Sequence, residues 1–323
     1  MRNTESRNQI SKINSLIHYL KMSVIVIGSL IVDNTIYVQS LPKPGETIFA
    51  KSSLLSHGGK GANQALAVHL SGGEVNLMGC VGGDSDGEEY KKYLQEKGIG
   101  SNYLMTSLTN RTGSAFITVD DSGENSIIVN SGSNSDLSAN HIDENIDLLK
   151  TSEIMLLQQE IPASTIQHAC QIGKKCGLKI IMNPSPLKPS FDIKQFPCDI
   201  LILNEIEAKQ LSGKDNPIES FEIFDGFGVE TVIITRGAQT VLYKHLTDPV
   251  KEFQPPTLQV VDTVGAGDTF AGTFAASLLR NESLHNSIQF ASVAASISVT
   301  KKGAQGAIPT RSEVDSFIEK WNV

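Results

Sequence analysis

Short apolar runs recur along this chain at residues 24–27, 75–80, 154–157, 179–182, 200–203 and 231–235. Runs of this length, bounded by polar or turn-forming residues, fit strands buried on both faces. Helical patterning fills the stretches between them. The alternation predicts an α/β fold: a mostly parallel central sheet with helices on both faces, a three-layer α/β/α sandwich. Two segments, about 34–56 and 111–131, break the rhythm. Both carry β-type patterning with turns, Leu41-Pro42-Lys43-Pro44-Gly45 and Asp120-Asp121-Ser122-Gly123-Glu124, and predict a small additional β layer. No repeat or shift in composition divides residues 22–323, which read as one domain. Residues 1–21 are polar, lack a secretory apolar core and read as a disordered extension ahead of Met22, although Ile10, Ile13, Ile17 and Leu20 fall at helical spacing.

Two glycine-rich stretches carry candidate chemistry. In Asp262-Thr263-Val264-Gly265-Ala266-Gly267-Asp268-Thr269-Phe270, an apolar run (Leu258, Val260, Val261) leads in and helix formers from Phe270 to Leu279 lead out. The pattern predicts a strand-to-helix turn whose first N–H groups lack intrahelical partners, which makes it an anion site. Asp268 at such a site suits a base taking a proton from a nucleophile that attacks a bound phosphate. The plainer alternative is a helix N-cap. The second stretch, Gly58-Gly59-Lys60-Gly61-Ala62-Asn63-Gln64-Ala65, opens a helical run to Leu70 that Gly72-Gly73 ends. Asn63 there can donate to and accept from a hydroxyl. A plain glycine turn with a solvated lysine is the alternative. Walker A and GxGxxG patterns are absent.

Composition narrows the classes. The 323 residues are 40% hydrophobic, enough for a full core, and the net charge of −8 argues against a nucleic-acid surface. Cys80, Cys170, Cys176 and Cys198 show no CxxC or metal spacing and read as buried thiols of a reducing, cytoplasmic compartment. The longest apolar run, 24–32, is too short for a bilayer and is broken by Gly28 and Ser29, so no membrane association is expected.

GGKGANQA and DTVGAGDTF resemble the two signatures of the ribokinase, or PfkB, family of sugar kinases. The resemblance runs from 23 to 323 through Gly28-Ser29 with Asp33, Pro44-Gly45-Glu46-Thr47, Val81-Gly82-Gly83-Asp84, Gln159-Glu160, Asn183-Pro184-Ser185-Pro186, Asn204-Glu205-Ile206-Glu207, Thr235-Arg236-Gly237 and Lys302-Gly303-Ala304-Gln305. It implies a ribokinase-like fold whose 34–56 and 111–131 segments form a β lid over the sugar and a homodimer contact. It implies ATP-dependent phosphorylation of D-ribose at O5, with Asp268 as base and the N–H groups of Gly265, Ala266 and Gly267 as anion hole.

By the same resemblance the sugar is held by Ile31, Val32, Asp33, Gly59, Lys60, Gly61, Ala62, Asn63 and Glu160, with Asp33 expected at the end of the first strand. ATP is met by Asn204, Thr235, Arg236, Gly237, Ala238, Gln239, Thr240 and Ser292 beside the anion hole. Glu207 acts on Mg²⁺ through water. K⁺ is ligated, mainly by carbonyls, at Asp262, Val264, Ser298, Lys301, Gly303 and Ala307. Three positions depart from the family. Thr240 replaces a glycine, and Ala307 replaces a serine. Ile31 replaces an asparagine beside the sugar, which opens 2-deoxyribose as an alternative substrate. A catalytically silent sugar-binding regulator is the alternative of another class, and the intact Asp268 turn argues against it.

Overall fold

The computed structural model describes residues 23–321, so the expectation for residues 1–21 lies outside the described residues. The predicted strands form β1 (Val24–Ile27), β4 (Val75–Gly82), β8 (Ile154–Leu157), β9 (Lys179–Met182), β10 (Ile200–Asn204) and β11 (Thr231–Thr235). With β5 (Leu104–Ser107), β12 (Val241–His245) and β13 (Lys251–Phe253) they make a nine-stranded sheet in the order β13-β12-β11-β10-β9-β8-β1-β4-β5. It is parallel from β5 to β11 and closes with two antiparallel strands.

Period-two alternation sorts β1 between two cores. Val24 and Val26 pack in one cluster with α1 (Lys60–Leu70), α8 (Ala266–Leu279) and α9 (Leu284–Ser298). Ile25 and Ile27 pack in the other, with α5 (Ala163–Cys176). Both faces being covered explains why these strands read as unbroken apolar runs.

The second sheet orders β3 (Ser52–Gly58), β2 (Ile31–Tyr37), β6 (Gly113–Val119) and β7 (Asn125–Asn130). Its first half spans Ile31 to Gly58, wider than the expected 34–56, and its second spans Gly113 to Asn130, within the expected 111–131. β2 and β6 pair in parallel, while β3 and β7 flank them antiparallel. Each half of this lid leaves and rejoins the body, so the chain crosses between them four times: at Leu30, Gly59, Thr112 and Ser131. Asn134 pins one crossing, donating to the Leu30 carbonyl (2.8 Å) and accepting from its N–H (2.9 Å).

The expected strand at residues 258–261 does not form. That segment runs extended and unpaired toward the glycine turn, with the Val261 and Asp262 N–H groups donating to the Val299 carbonyl. Leu258 and Val260 face a cleft instead of a sheet neighbour. Cys80, Cys170 and Cys198 are buried as expected, whereas Cys176 is only half buried.

Candidate active site

The N-termini of α1 and α8 converge at the carboxyl ends of β1, β8 and β9. Close packing of α1 requires its glycines. A Cβ on Gly61 would lie 2.4 Å from the Gly28 backbone. Gly59 has φ +87°, and a Cβ there would lie 2.8 Å from the Ile31 nitrogen. Gly265 (φ +76°) caps α8, so Asp268 is the third residue within the helix rather than its cap. Its carboxylate is buried and accepts from Asn63 Nδ2 and Gln64 Nε2, both at 3.0 Å, with Lys60 Nζ 3.9 Å away. The Asp268 charge, followed by Glu160 and Glu207, raises Lys60 against the opposing effect of burial. The Ala266 N–H turns back to the Thr263 carbonyl at 3.3 Å.

Asp33 lies in β2, not at the end of β1 as expected. Its carboxyl stands over Gly58, where a Cβ would lie 2.2 Å from Oδ2. Burial and then the Glu160 charge push it up to about 7. Glu160 follows β8 and accepts from Ser29 Oγ (2.5 Å) and the Lys60 N–H (3.0 Å). Ile31 is buried and shares a strand face with Asp33. Val32 projects the other way and packs on the core, so its side chain is directed away from any ligand. Both ends of the Asn63 amide are engaged, since its Oδ1 accepts from Gln305 Nε2 at 3.0 Å. Its expected hydroxyl contact is thus spent inside the protein, apart from a second N–H.

On the other side of Gly267 opens a cleft of about 320 Å³, walled by Leu258, Val260, Pro255, Ala295 and Val299. Thr235, Gly237, Ala238 and Ser292 line it. The buried Ser292 hydroxyl has no partner. A narrower hollow shares Asn204, Thr235 and Gly267 with the cleft and leads to Lys60 and Glu207. Arg236, Gln239 and Thr240 do not line it. The Arg236 guanidinium is held by Glu205 (3.2 Å), Thr240 (3.3 Å) and Gln239 (2.5 Å). Thr240 therefore braces an arginine.

Asn204 and Glu207 form a reciprocal capping box on α6 (Glu205–Ser212), each side chain bonding the other's N–H. The Asp262 carboxylate ties two loops by accepting from Val264 N–H (3.0 Å) and Gly303 N–H (2.8 Å). Among the expected cation ligands, the Ser298 hydroxyl donates to the Ala295 carbonyl, Lys301 pairs with Glu313, and Ala307 is buried with no polar side-chain atom. No group of three or more His, Cys, Asp or Glu side chains suited to a metal occurs among the described residues. No described helix is long and apolar enough to cross a membrane.

Three site residues escape the sequence reading: Gln64, Gln158 and Gln305, all buried and all linked to the Asp268 cluster. Gln64 stood in a motif already singled out. Gln305 closes the Lys302-Gly303-Ala304-Gln305 stretch, and Gln158 adjoins Gln159-Glu160. Only a buried polar side chain distinguishes them, and burial at single positions is not legible in sequence.

The model of the pfkB family carbohydrate kinases matches residues 21–311. A ribokinase of Haemophilus influenzae is 39% identical over 307 residues, covering 93% of this chain and 99% of the relative. A deoxyribokinase of Salmonella typhi is 31% identical, covering 92% and 99%. The structure of ribokinase from Giardia lamblia superimposes with a TM-score of 0.86 at 29% identity, covering 93% of this chain and 99% of that one. That of Arabidopsis thaliana ribokinase complexed with ribose and ATP gives 0.84 at 29%, covering 91% and 97%. With a nine-stranded mostly parallel sheet, a four-stranded lid and both glycine turns at one site, the chain belongs to the pfkB family of carbohydrate kinases and is a sugar kinase of ribokinase-like fold.

Proposed function

We propose that the protein transfers the terminal phosphoryl group of ATP to the 5-hydroxyl of D-ribose. One observation carries the reading. Asp268 is fixed by two amides one residue beyond Gly267, where the sugar-side floor meets the cleft. Asp268 takes the hydroxyl proton as the oxygen bonds to phosphorus and ADP leaves. Lys60 and the N-terminus of α8 stabilise the charge on the moving group. Asp33, Glu160 and Asn63 orient the sugar, with Gly59, Lys60, Gly61 and Ala62 supplying backbone contacts.

The cleft suits a nucleotide. Its apolar walls and the unpartnered Ser292 hydroxyl fit a purine, and Thr235, Gly237 and Ala238 lead toward the phosphates. Asn204 adds a polar group at the inner end. Glu207 faces the small hollow with Asn204 and offers a single carboxylate, which fits Mg²⁺ held through water and phosphate oxygens. That ion would neutralise charge between the phosphates. K⁺ would bind behind the turn, through carbonyls of the 262–264 and 298–307 segments that Asp262 ties together. The lid exposes Leu55, Phe116 and Ile128 on one face and Leu54 and Ile127 on the other, apolar surface that supports a dimer contact there.

Ile31 favours a second reading, 2-deoxyribose. Buried on the face that carries Asp33, it offers a hydroxyl no hydrogen bond. The deciding experiment for the kinase reading is Asp268→Asn assayed with ribose and ATP. Turnover should fall about 10²–10⁴-fold with sugar binding largely kept. A rate within a few-fold of the parent would reduce Asp268 to a structural residue.

A further inference from the structure

Two chains of side-chain amides end on the two oxygens of Asp268, and each begins at a group that can only accept. In the first, the Ile202 carbonyl on β10 accepts from Asn183 Nδ2 at 3.0 Å. That leaves Asn183 Oδ1 turned to Gln64, which must answer with its nitrogen (3.1 Å). The second proton of the same Gln64 nitrogen goes to Asp268 Oδ1 (3.0 Å). Gln158 Nε2 closes the arrangement on Gln64 Oε1 at 2.6 Å. Gly28 makes room for Gln158, because a Cβ there would lie 2.1 Å from Gln158 Oε1.

In the second chain, the Gly58 carbonyl at the end of β3 accepts from the Tyr90 hydroxyl (2.5 Å). The Tyr90 oxygen must then accept, and Gln305 Nε2 donates to it at 3.0 Å. The same nitrogen donates to Asn63 Oδ1 (3.0 Å), which turns Asn63 Nδ2 onto Asp268 Oδ2 (3.0 Å). A backbone carbonyl cannot donate, so neither chain can reverse without burying two acceptors face to face.

We propose that Gln64 and Gln305 are positioning residues for Asp268, locked in the donating sense by Ile202 and Gly58. The inference rests on Asp268 being the base. The fixed direction aims both carboxylate oxygens at donors of the protein and leaves the remaining lone pairs toward the sugar hydroxyl. It also ties the base to a lid strand, through Gly58, and to a central strand, through Ile202.

The test is Gln64→Met, with steady-state kinetics for ribose and ATP in the parent background and in Asp268→Asn. In the parent background kcat should fall roughly ten- to a hundredfold, as for a misplaced reacting group, with both KM values within about threefold. In the Asp268→Asn background the added Gln64→Met should leave the residual kcat unchanged, because the effect runs through the missing carboxylate. Gln158→Met, one step removed, should lower kcat by only about two- to fivefold. Gln305→Met repeats the test on the second chain should Gln64→Met fail to fold. It should lower kcat in the parent and leave it unchanged beside Asp268→Asn. Low turnover in Asp268→Asn together with near-parental kcat in both glutamine variants overturns the proposal. An equal further loss in the Asp268→Asn background does so too. An active Asp268→Asn instead removes the base reading on which it rests.

Discussion

The floor beneath Asp268 and the cleft beside it meet at Gly267, yet they are built on opposite terms. On the floor, Asn63, Gln64, Asn183 and Tyr90 are buried and engaged with one another or with backbone carbonyls. In the cleft, Val260 is more than half exposed and the Ser292 hydroxyl has no partner. Groups that must handle a proton are set by the fold before any ligand arrives, which spares reorganisation during the reaction. The surface that holds the nucleotide is left for the ligand to complete.

The glycines break this comparison most sharply. Gly61→Ala should destabilise the protein by about 1–3 kcal/mol or more, since its Cβ would meet the Gly28 backbone at 2.4 Å. Chemical denaturation would show the loss, and activity should fall with it. Gly267→Ala meets nothing within 4 Å. Its melting temperature should stay within about a degree or two of the parent, as for a substitution clear of core contacts. The KM for ATP should rise roughly tenfold, the effect of one displaced contact of about 1.4 kcal/mol. An unstable Gly267→Ala would mean that the cleft is as tightly built as the floor.

A smaller effect belongs to Asp33, the floor's one strongly perturbed carboxyl. Its value in the folded protein is raised from 3.8 to about 7. The folded state therefore binds this proton more tightly than the unfolded chain. The associated stability is fully present below pH 3.8 and is lost as pH rises through about 7. Asp33→Asn should flatten that decline and be the more stable protein at pH 8, by on the order of 1 kcal/mol. Thermal melts of both proteins at pH 5 and pH 8 check the sign. Parallel curves would show that Asp33 is solvated.

The smallest shift concerns the sugar. Ile31→Asn should move the kcat/KM ratio of ribose over 2-deoxyribose toward ribose by about two- to twelvefold, the worth of one hydrogen bond. Paired kinetics on both sugars decide it, and an unchanged ratio would remove the support for 2-deoxyribose. Replacing K⁺ by Na⁺ at constant ionic strength should lower activity. Equal rates would show that Ala307 has cost the cation site its function.

The body of the fold was legible because its strands are buried on both faces and so announce themselves as apolar runs. The run at 258–261 carried the same signature for a different reason, as the wall of a cleft. Leu258 and Val260 look like strand residues because a nucleotide groove and a sheet interior demand the same side chains. Strand β12 is buried only over its first three residues, and the edge strand β13 has none buried, so they left a weaker trace. Chain order alone puts Asp33 at the end of the first strand. The chain turns at Gly28 and begins a lid strand at Ile31, a geometry that local pattern does not encode. The glycine turns marked the site, but the amides that hold it come from residues up to 242 apart in sequence.

The four crossings between lid and body have a mechanical meaning. A flap joined by one loop swings freely, and its hinge is a single place to mutate. This lid is stitched down at Leu30, Gly59, Thr112 and Ser131, so any tilt must bend the chain at all four points together. Stiffening one point should resist the whole motion, whichever it is. Residues far apart in sequence then share one mechanical role: Gly59 with its left-handed backbone, and Asn134 clamped on Leu30.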